Sequence, residues 1–304
     1  MALSLLEWYN REKRILPFRN IDNPYKIWLS EIMLQQTQVD TMIPYFNRWI
    51  KKYPTLQSVA NEDQEKLLKM WEGLGYYSRC RNFHKAIKIV FNQYSGIVPN
   101  NWTDFRALPG VGDYTAAAVL SIAYHQPYPV IDGNVKRVMA RLLGLKNLIK
   151  RNMSRMNRYL NEHISKDFPG DFNQGMMELG AGICSPKNPD CGKCPVSNFC
   201  KGFLMGSPES YPKYIKKEKT PHYEIVAGII WRDDKFYIQK RGEKGMLAGL
   251  WEFPGGKGEK GETLEEALQR EIKEECGALP KVLKKIGTIK HAYTNFSIAF
   301  HGYH

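Results

Sequence analysis

No stretch of the 304-residue sequence is apolar for long enough to cross a bilayer. The opening MALSLLEWYNREKR turns polar too soon to serve as the apolar core of a secretory signal, so a cytoplasmic protein is expected. In that compartment the six cysteines are not expected to form disulfides. There is no internal repeat and no low-complexity tract, and the seven histidines show no metal-ligand spacing. Acidic residues are the scarce charge: 31 Asp and Glu stand against 44 Lys and Arg, a formal net charge of +13. That excess favours a polyanionic partner, most often nucleic acid. The length is too great for one ordinary core and suits two domains or more.

Residues 1 to about 200 read as helical. Ser4 and Glu7 have the spacing of a capping box at the start of the first helix. WLSEIMLQQTQVDTMIPYFNRWIKKY carries an apolar stripe of Trp28, Ile32, Val39, Met42, Ile43, Phe46, Trp49 and Ile50, with a break expected at Pro44. EDQEKLLKMWEGLG, RNFHKAIKIVFNQY and GNVKRVMARLLGL are further helices. After Cys200 the character changes. GSPESYPKYIKKEKTPH holds three prolines, several lysines and little apolar material, as an interdomain linker would. YEIVAGIIWRDDKFYIQKR is then β-rich, with Asp233 and Asp234 at a hairpin turn. The expected organisation is a helical domain over 1–204, a linker over 205–221 and a second domain over 222–304.

NWTDFRALPGVGDYTAAAVLSIAY reads as helix, tight turn, helix. Gly110 and Gly112 allow positive φ and exposed successive N–H groups, and the following helix adds its positive end. Such a turn holds a phosphate without reading sequence, or it is a plain connection between helices. Downstream, PVIDGNVKRV sets Asp132 among apolar residues just before Gly133. The aspartate is either a partly desolvated functional acid or a helix N-cap.

The combination resembles the helix–hairpin–helix, Gly/Pro-rich, Asp superfamily of DNA glycosylases. The resemblance implies that Leu108, Gly110, Val111 and Gly112 hold DNA, that a nucleotide is flipped out, and that Asp132 stabilises the sugar cation as the base leaves. The endonuclease III branch carries a nucleophilic lysine two residues after the second hairpin glycine. Here that position is Tyr114, and a phenol forms no Schiff base, so a monofunctional glycosylase is expected. WLSEIMLQQTQV is similar to the MutY-type adenine glycosylases. That similarity implies that Glu31 is the general acid protonating adenine at N7, that Gln36 wedges into the duplex, and that Arg19 in LPFRN and Tyr76 in GLGYYSR contact substrate or DNA. Asn134 would orient groups around Asp132, and Tyr114 would belong to the contact or proton network. Glu31 borders an apolar helix face, which can raise its pKa.

Cys184, Cys191, Cys194 and Cys200 are spaced C-x6-C-x2-C-x5-C, a strong metal signal whose alternatives are zinc or chance. The spacing is that of the 4Fe–4S loop in endonuclease III and MutY relatives. Cys80 and Cys276 read as ordinary thiols.

GKGEKGETLEEALQREIKEECGA fits the Nudix box from Gly256 to Ala278. MutY-type proteins carry a Nudix-like C-terminal domain whose box is usually eroded, while this one is complete. Either the domain only recognises 8-oxoguanine, or Glu271, Glu274 and Glu275 bind Mg²⁺ for pyrophosphate hydrolysis. KHAYTNFS resembles the MutY loop that inspects 8-oxoguanine. Tyr293, Thr294 and Asn295 would then stand where Phe, Ser and His are usual. The stretch after the linker is short for a Nudix-like domain, which is expected to be incomplete at its C-terminus.

The expected fold class is an all-α helix–hairpin–helix glycosylase region with an iron–sulfur loop, followed by a smaller α+β Nudix-like domain. The expected partner is double-stranded DNA containing 8-oxoguanine·adenine or guanine·adenine mispairs. The protein would act as a monomer with no membrane, nucleoid-associated as in bacteria. Three rivals remain: an endonuclease III-type glycosylase/lyase, a nucleotide-pool pyrophosphohydrolase and a non-catalytic damage binder.

Overall fold

The computed structural model describes residues 1–213, 220–242, 245, 247, 249–293 and 295–304. The chain divides into two compact units, Met1–Tyr214 and Ile215–His304. The first is helical: α1 (Ala2–Glu12), α2 (Pro24–Leu34), α3 (Val39–Lys52), α4 (Leu56–Ala60), α5 (Gln64–Trp71), α6 (Ser78–Gln93), α7 (Trp102–Arg106), α8 (Asp113–Tyr124), α9 (Gly133–Leu143), α10 (Lys150–His163), α11 (Pro169–Gly182) and α12 (Lys201–Leu204).

Two apolar clusters organise this unit. One is built on α2 to α8 around Trp28, Trp49, Trp71, Phe83 and Phe105. The other joins α1 to α9, α10 and α11 through Leu5, Tyr9, Val138, Met156, Phe172 and Met176. Within the first, Phe83 meets Trp28 edge-on at 5.0 Å between ring centroids and Trp49 at 6.3 Å. Aromatic pairs in this geometry add to the value of the area they bury.

Local sequence explains several of the helix ends. Asn23 caps α2 by accepting the Lys26 N–H at 3.1 Å, with Pro24 at the first helical position. Asp63 caps α5, which stops before Gly73 at φ +91°. Two expectations need correction. α1 begins at Ala2 with no side-chain cap, so Ser4 lies inside the helix and forms no capping box with Glu7. The break in the apolar stripe lies between α2 and α3, where Gln36 has φ +57°, and Pro44 sits inside α3. The carbonyl that Pro44 leaves without an N–H partner belongs to exposed Asp40, where water can satisfy it.

The second unit holds β1 (His222–Gly228), β2 (Trp231–Arg232), β3 (Lys235–Phe236), β4 (Gln239–Lys240), β5 (Trp251–Glu252), β6 (Gly255–Lys257), α13 (Leu264–Cys276), β7 (Lys285–Ala292) and β8 (Ser297–Tyr303). The main sheet has the order β6-β1-β8-β7, with β1 and β8 parallel and the other pairs antiparallel. β2 and β3 form the expected hairpin, turning at Asp233 with φ +56°. α13 carries a capping box of Thr263 and Glu266 and ends at Gly277 with φ +67°. It packs Ala267, Leu268 and Ile272 on Val226 and Tyr303.

Truncating Phe83 to alanine should cost about 3–5 kcal/mol, because its ring is fully buried among aromatics that cannot collapse into the void. Thermal unfolding of the variant should show a matching fall in midpoint.

Candidate active site

The boundary between the two apolar clusters is not filled. It leaves a cavity of about 190 Å³ lined by Arg19, Glu31, Tyr114, Asp132, Asn134, Met177 and Glu178, among others. These come from five places: the loop after α1, the middle of α2, the start of α8, the entry to α9, and α11. The structure thus brings together the residues marked in the sequence as Arg19, Glu31, Tyr114, Asp132 and Asn134.

Glu31 is only 6% exposed, yet none of the described ion pairs includes it. The Tyr114 hydroxyl donates to Glu31 Oε2 at 2.8 Å and also approaches Met177 Sδ at 3.6 Å. Burial pushes the Glu31 carboxyl up to about 7. The Tyr114 hydrogen bond opposes that rise, Asp132 adds to it, and Arg19 opposes it again. Burial and the neighbouring Glu31 charge in turn hold Tyr114 far above its ordinary value, so the phenol stays protonated.

Asp132 answers to both readings of its sequence. Its Oδ1 accepts the Val135 N–H at 2.7 Å as the N-cap of α9, and its side chain also lines the cavity. Burial raises its pKa, against hydrogen bonds from the Val135 and Asn134 backbone that lower it. Asn134 Oδ1 accepts from Arg137 Nη2 at 2.9 Å. Arg137 also donates to Gly180 O at 2.7 Å and Cys184 O at 2.8 Å. α9 and α11 approach closely here: a Cβ on Gly180 would lie 2.6 Å from Asn134 Cβ.

Glu178 was not marked in the sequence. It is the one acid in the long second half of α11, NQGMMELGAG, and that isolation was the available signal. Arg14 Nε and Arg19 Nη2 each reach its carboxylate at 2.5 Å, from 164 and 159 residues away. Burial alone would raise Glu178, but the two guanidiniums hold it below the usual carboxylate range.

The DNA-facing expectations fall on three turns. In the hairpin, Gly110 has φ +76° and packs on Asn82, whereas Gly112 is extended at φ −92° and caps α8, so only one glycine uses positive φ. The Val111 N–H is bonded to Leu108 O at 3.1 Å, which corrects the expectation of a fully exposed run of donors. Leu108 and Val111 bury their side chains. Gln36 and Tyr76 (φ +48°) stand exposed at two separate corners. One buried residue, Arg79, ties those corners together: it donates to the carbonyls of Ile32, Met33, Gln35, Leu74 and Gly75 and lies under the Tyr76 ring. Arg79 ends the GLGYYSR motif, where nothing local in the sequence marks this role.

Cys184, Cys191, Cys194 and Cys200 line a single small cavity with Arg141, Ile183 and Phe203. Arg141 is fully buried and donates to Cys184 Sγ at 3.2 Å and to Ser185 O at 2.7 Å. Burial pushes the Cys194 thiol up to about 12, with the neighbouring thiols adding to the rise. Four sulfurs around one enclosed space, with a buried cation beside them, fit an iron–sulfur group that would hold them as thiolates.

In the second unit, Glu275 accepts the Gly255 N–H at 2.9 Å and Gln239 Nε2 at 2.7 Å. Glu271 accepts from Arg270 at 2.9 Å, and Glu274 is mostly exposed. Among the described residues, no three His, Cys, Asp or Glu side chains converge tightly enough for a single metal ion. Tyr293 and Asn295 lie in the turn from β7 to β8, and Thr294 lies outside the described residues.

Three regions of the chain match known families. Residues 29–164 match the HhH-GPD superfamily of base excision DNA repair proteins, 184–200 the iron–sulfur binding domain of endonuclease III, and 226–304 the NUDIX domain. The helical part resembles a thermostable thymine-DNA glycosylase at 28% identity with a TM-score of 0.62, covering 67% of this chain and 95% of that one. It shares its fold with endonuclease III bound to DNA at a TM-score of 0.57 and 24% identity, covering 67% and 94%. The human adenine DNA glycosylase is 33% identical over 99% of this chain, which spans 66% of the human protein. The adenine DNA glycosylase of Buchnera aphidicola subsp. Schizaphis graminum is 34% identical, covering 97% of this chain and 84% of its own. The chain therefore belongs to the adenine DNA glycosylase family.

Proposed function

We propose that this protein is a monofunctional adenine DNA glycosylase of base excision repair, hydrolysing the N-glycosidic bond of adenine mispaired with 8-oxoguanine or guanine. The observation that carries the reading is Glu31, buried with the Tyr114 hydroxyl as its hydrogen-bond partner and held near a pKa of about 7. Neutral adenine is a poor leaving group, and an acid that still carries its proton near neutrality can supply the missing step. Glu31 protonates the flipped base at N7. The glycosidic bond then breaks, and the Asp132 carboxylate stabilises the sugar cation until water attacks. Tyr114 donates a hydrogen bond and offers no amine, so the sequence ends at an abasic site without strand cleavage. The glycine turn at 110–112 grips a phosphate, while Gln36 and Tyr76 enter the duplex.

Cys184, Cys191, Cys194 and Cys200 would hold a 4Fe–4S cluster, which would fix the 184–200 loop as one rigid element. The second unit reads the oxidised guanine through Tyr293, Thr294 and Asn295. Pyrophosphate hydrolysis with Mg²⁺ is the weaker reading, because Glu275 already spends its carboxylate on Gly255 and Gln239.

These roles fix what wild type and three variants should do. In wild type, strand breaks at released adenines should form only after hot alkali, and 8-oxo-dGTP with Mg²⁺ should not turn over. Glu31→Gln should slow adenine release at least about a hundredfold. Because burial raises the Glu31 pKa, the ionised form is disfavoured in the fold, and wild-type stability falls as pH rises through about 7. The same variant should therefore melt higher than wild type at pH 8 and gain little at pH 5. Asp132→Asn keeps a good N-cap while removing the charge, so it should bind mispaired DNA normally and release adenine roughly 100- to 1,000-fold more slowly. Tyr114→Phe removes a hydrogen bond that favours ionised Glu31, so the alkaline limb of the pH–rate profile should move to higher pH.

A further inference from the structure

The end of the main sheet that carries the β7–β8 turn bears a row of rings. Tyr293 stacks on Phe296 with centroids 4.6 Å apart and planes 27° from parallel. Phe296 meets Tyr223 of β1 at 5.8 Å, and His291 of β7 meets Tyr293 edge-on at 4.6 Å. Lys257 of β6 puts its Nζ 3.4 Å from the centre of the Tyr223 ring. The row joins β6 and β1 to β7 through the two turn residues Phe296 and Tyr293, with a cation at one end and an imidazole at the other. The turn itself closes by the Tyr293 N–H donating to Phe296 O at 2.8 Å, so backbone and rings hold the same two residues together.

We propose that Phe296 is a specificity-determining support for lesion recognition. Braced by Tyr223, its ring fixes Tyr293 in one orientation, so the oxidised guanine meets a prebuilt stacking surface and not a mobile side chain. The proposal rests on the reading of Tyr293, Thr294 and Asn295 as the loop that inspects 8-oxoguanine. A tyrosine on a solvent-facing turn would otherwise sample several rotamers and lose that freedom on binding. Stacking on Phe296 removes the freedom beforehand, and preorganisation lowers the cost of association. Aromatic rings accept any base by stacking, so discrimination still comes from polar groups at the same turn, such as exposed Asn295. The role of Phe296 is to hold the ring against which that reading is made.

The test is the ratio of adenine-release rates from an 8-oxoguanine·adenine duplex and a matched guanine·adenine duplex, using the full chain. The guanine·adenine rate is the internal control for the helical unit. Phe296→Leu keeps apolar bulk and loses the ring. It should lower the ratio about three- to tenfold, as expected for one lost aromatic pair, and leave the guanine·adenine rate unchanged. Phe296→Trp keeps a stacking ring and should retain the ratio. If both variants lose the ratio equally, ring stacking is not the cause and the proposal falls. It also falls if Phe296→Leu keeps the wild-type ratio while Tyr293→Leu lowers it. If Tyr293→Leu itself leaves the ratio unchanged, the recognition reading of the turn has failed, and the support role fails with it.

Discussion

The helical unit depends on keeping one carboxyl group out of water without giving it a cation. Glu31 sits in the middle of α2, on the wall of a cavity whose other sides are Tyr114, Met177 and Asp132. A lysine or arginine at ion-pair distance would pull its pKa down and leave it ionised at neutral pH. The nearby guanidiniums of Arg14 and Arg19 are instead paired with Glu178, so Arg19 opposes the rise in the Glu31 pKa without cancelling it. Glu178 thus has a physical reason to sit beside the acid: it pairs with two arginines that line a cavity in which burial favours protonated Glu31. The arrangement costs stability whenever Glu31 ionises, as functional sites commonly do.

The surrounding backbone is held by arginines that serve as multiple donors. Arg79 satisfies carbonyls at the end of α2 and in the turn before α6, two places where helix termini leave acceptors without partners. Arg137 and Arg141 do the same between α9, α11 and the cysteine loop. Planar five-donor side chains suit this work, and lysine would not replace them. A basic composition is therefore only partly a statement about DNA: several of the 44 basic residues are consumed inside the fold.

Much of this was legible in the sequence because the relevant signals are local. Helix periodicity placed the tryptophan core, the spacing of four cysteines placed the cluster loop, and Asp233-Asp234 placed a hairpin. Glu31, Tyr114 and Asp132 were legible through motif resemblance, and the fold brought them to one cavity. What was not legible depends on distance along the chain. Glu178 acquires its meaning from arginines about 160 residues away, and Arg79 from carbonyls of another helix. The local rules also misplaced two boundaries. Ser4 and Glu7 have capping-box spacing, but the helix had already begun at Ala2. Pro44 looks like a breaker, but the chain turns earlier, at Gln36, where Arg79 captures the terminal carbonyls.

The same long range ties the environment of Glu31 to the docking of α1. Arg14 and Arg19 follow α1 in the chain and reach Glu178 of α11, against which α1 packs, with Leu5 and Tyr9 against Gly175 so closely that an added Cβ there would be 3.3 Å from each. Anything that loosens this contact withdraws both guanidiniums from Glu178 and opens the cavity wall beside Glu31 to water. Solvation then lowers the Glu31 pKa toward that of an ordinary glutamate, and the acid loses its proton at neutral pH. The environment of Glu31 on α2 thus depends on packing one turn away from Glu178 on α11, where Tyr9 of α1 also lies beside Arg19, and the first helix supports the wall of the cavity.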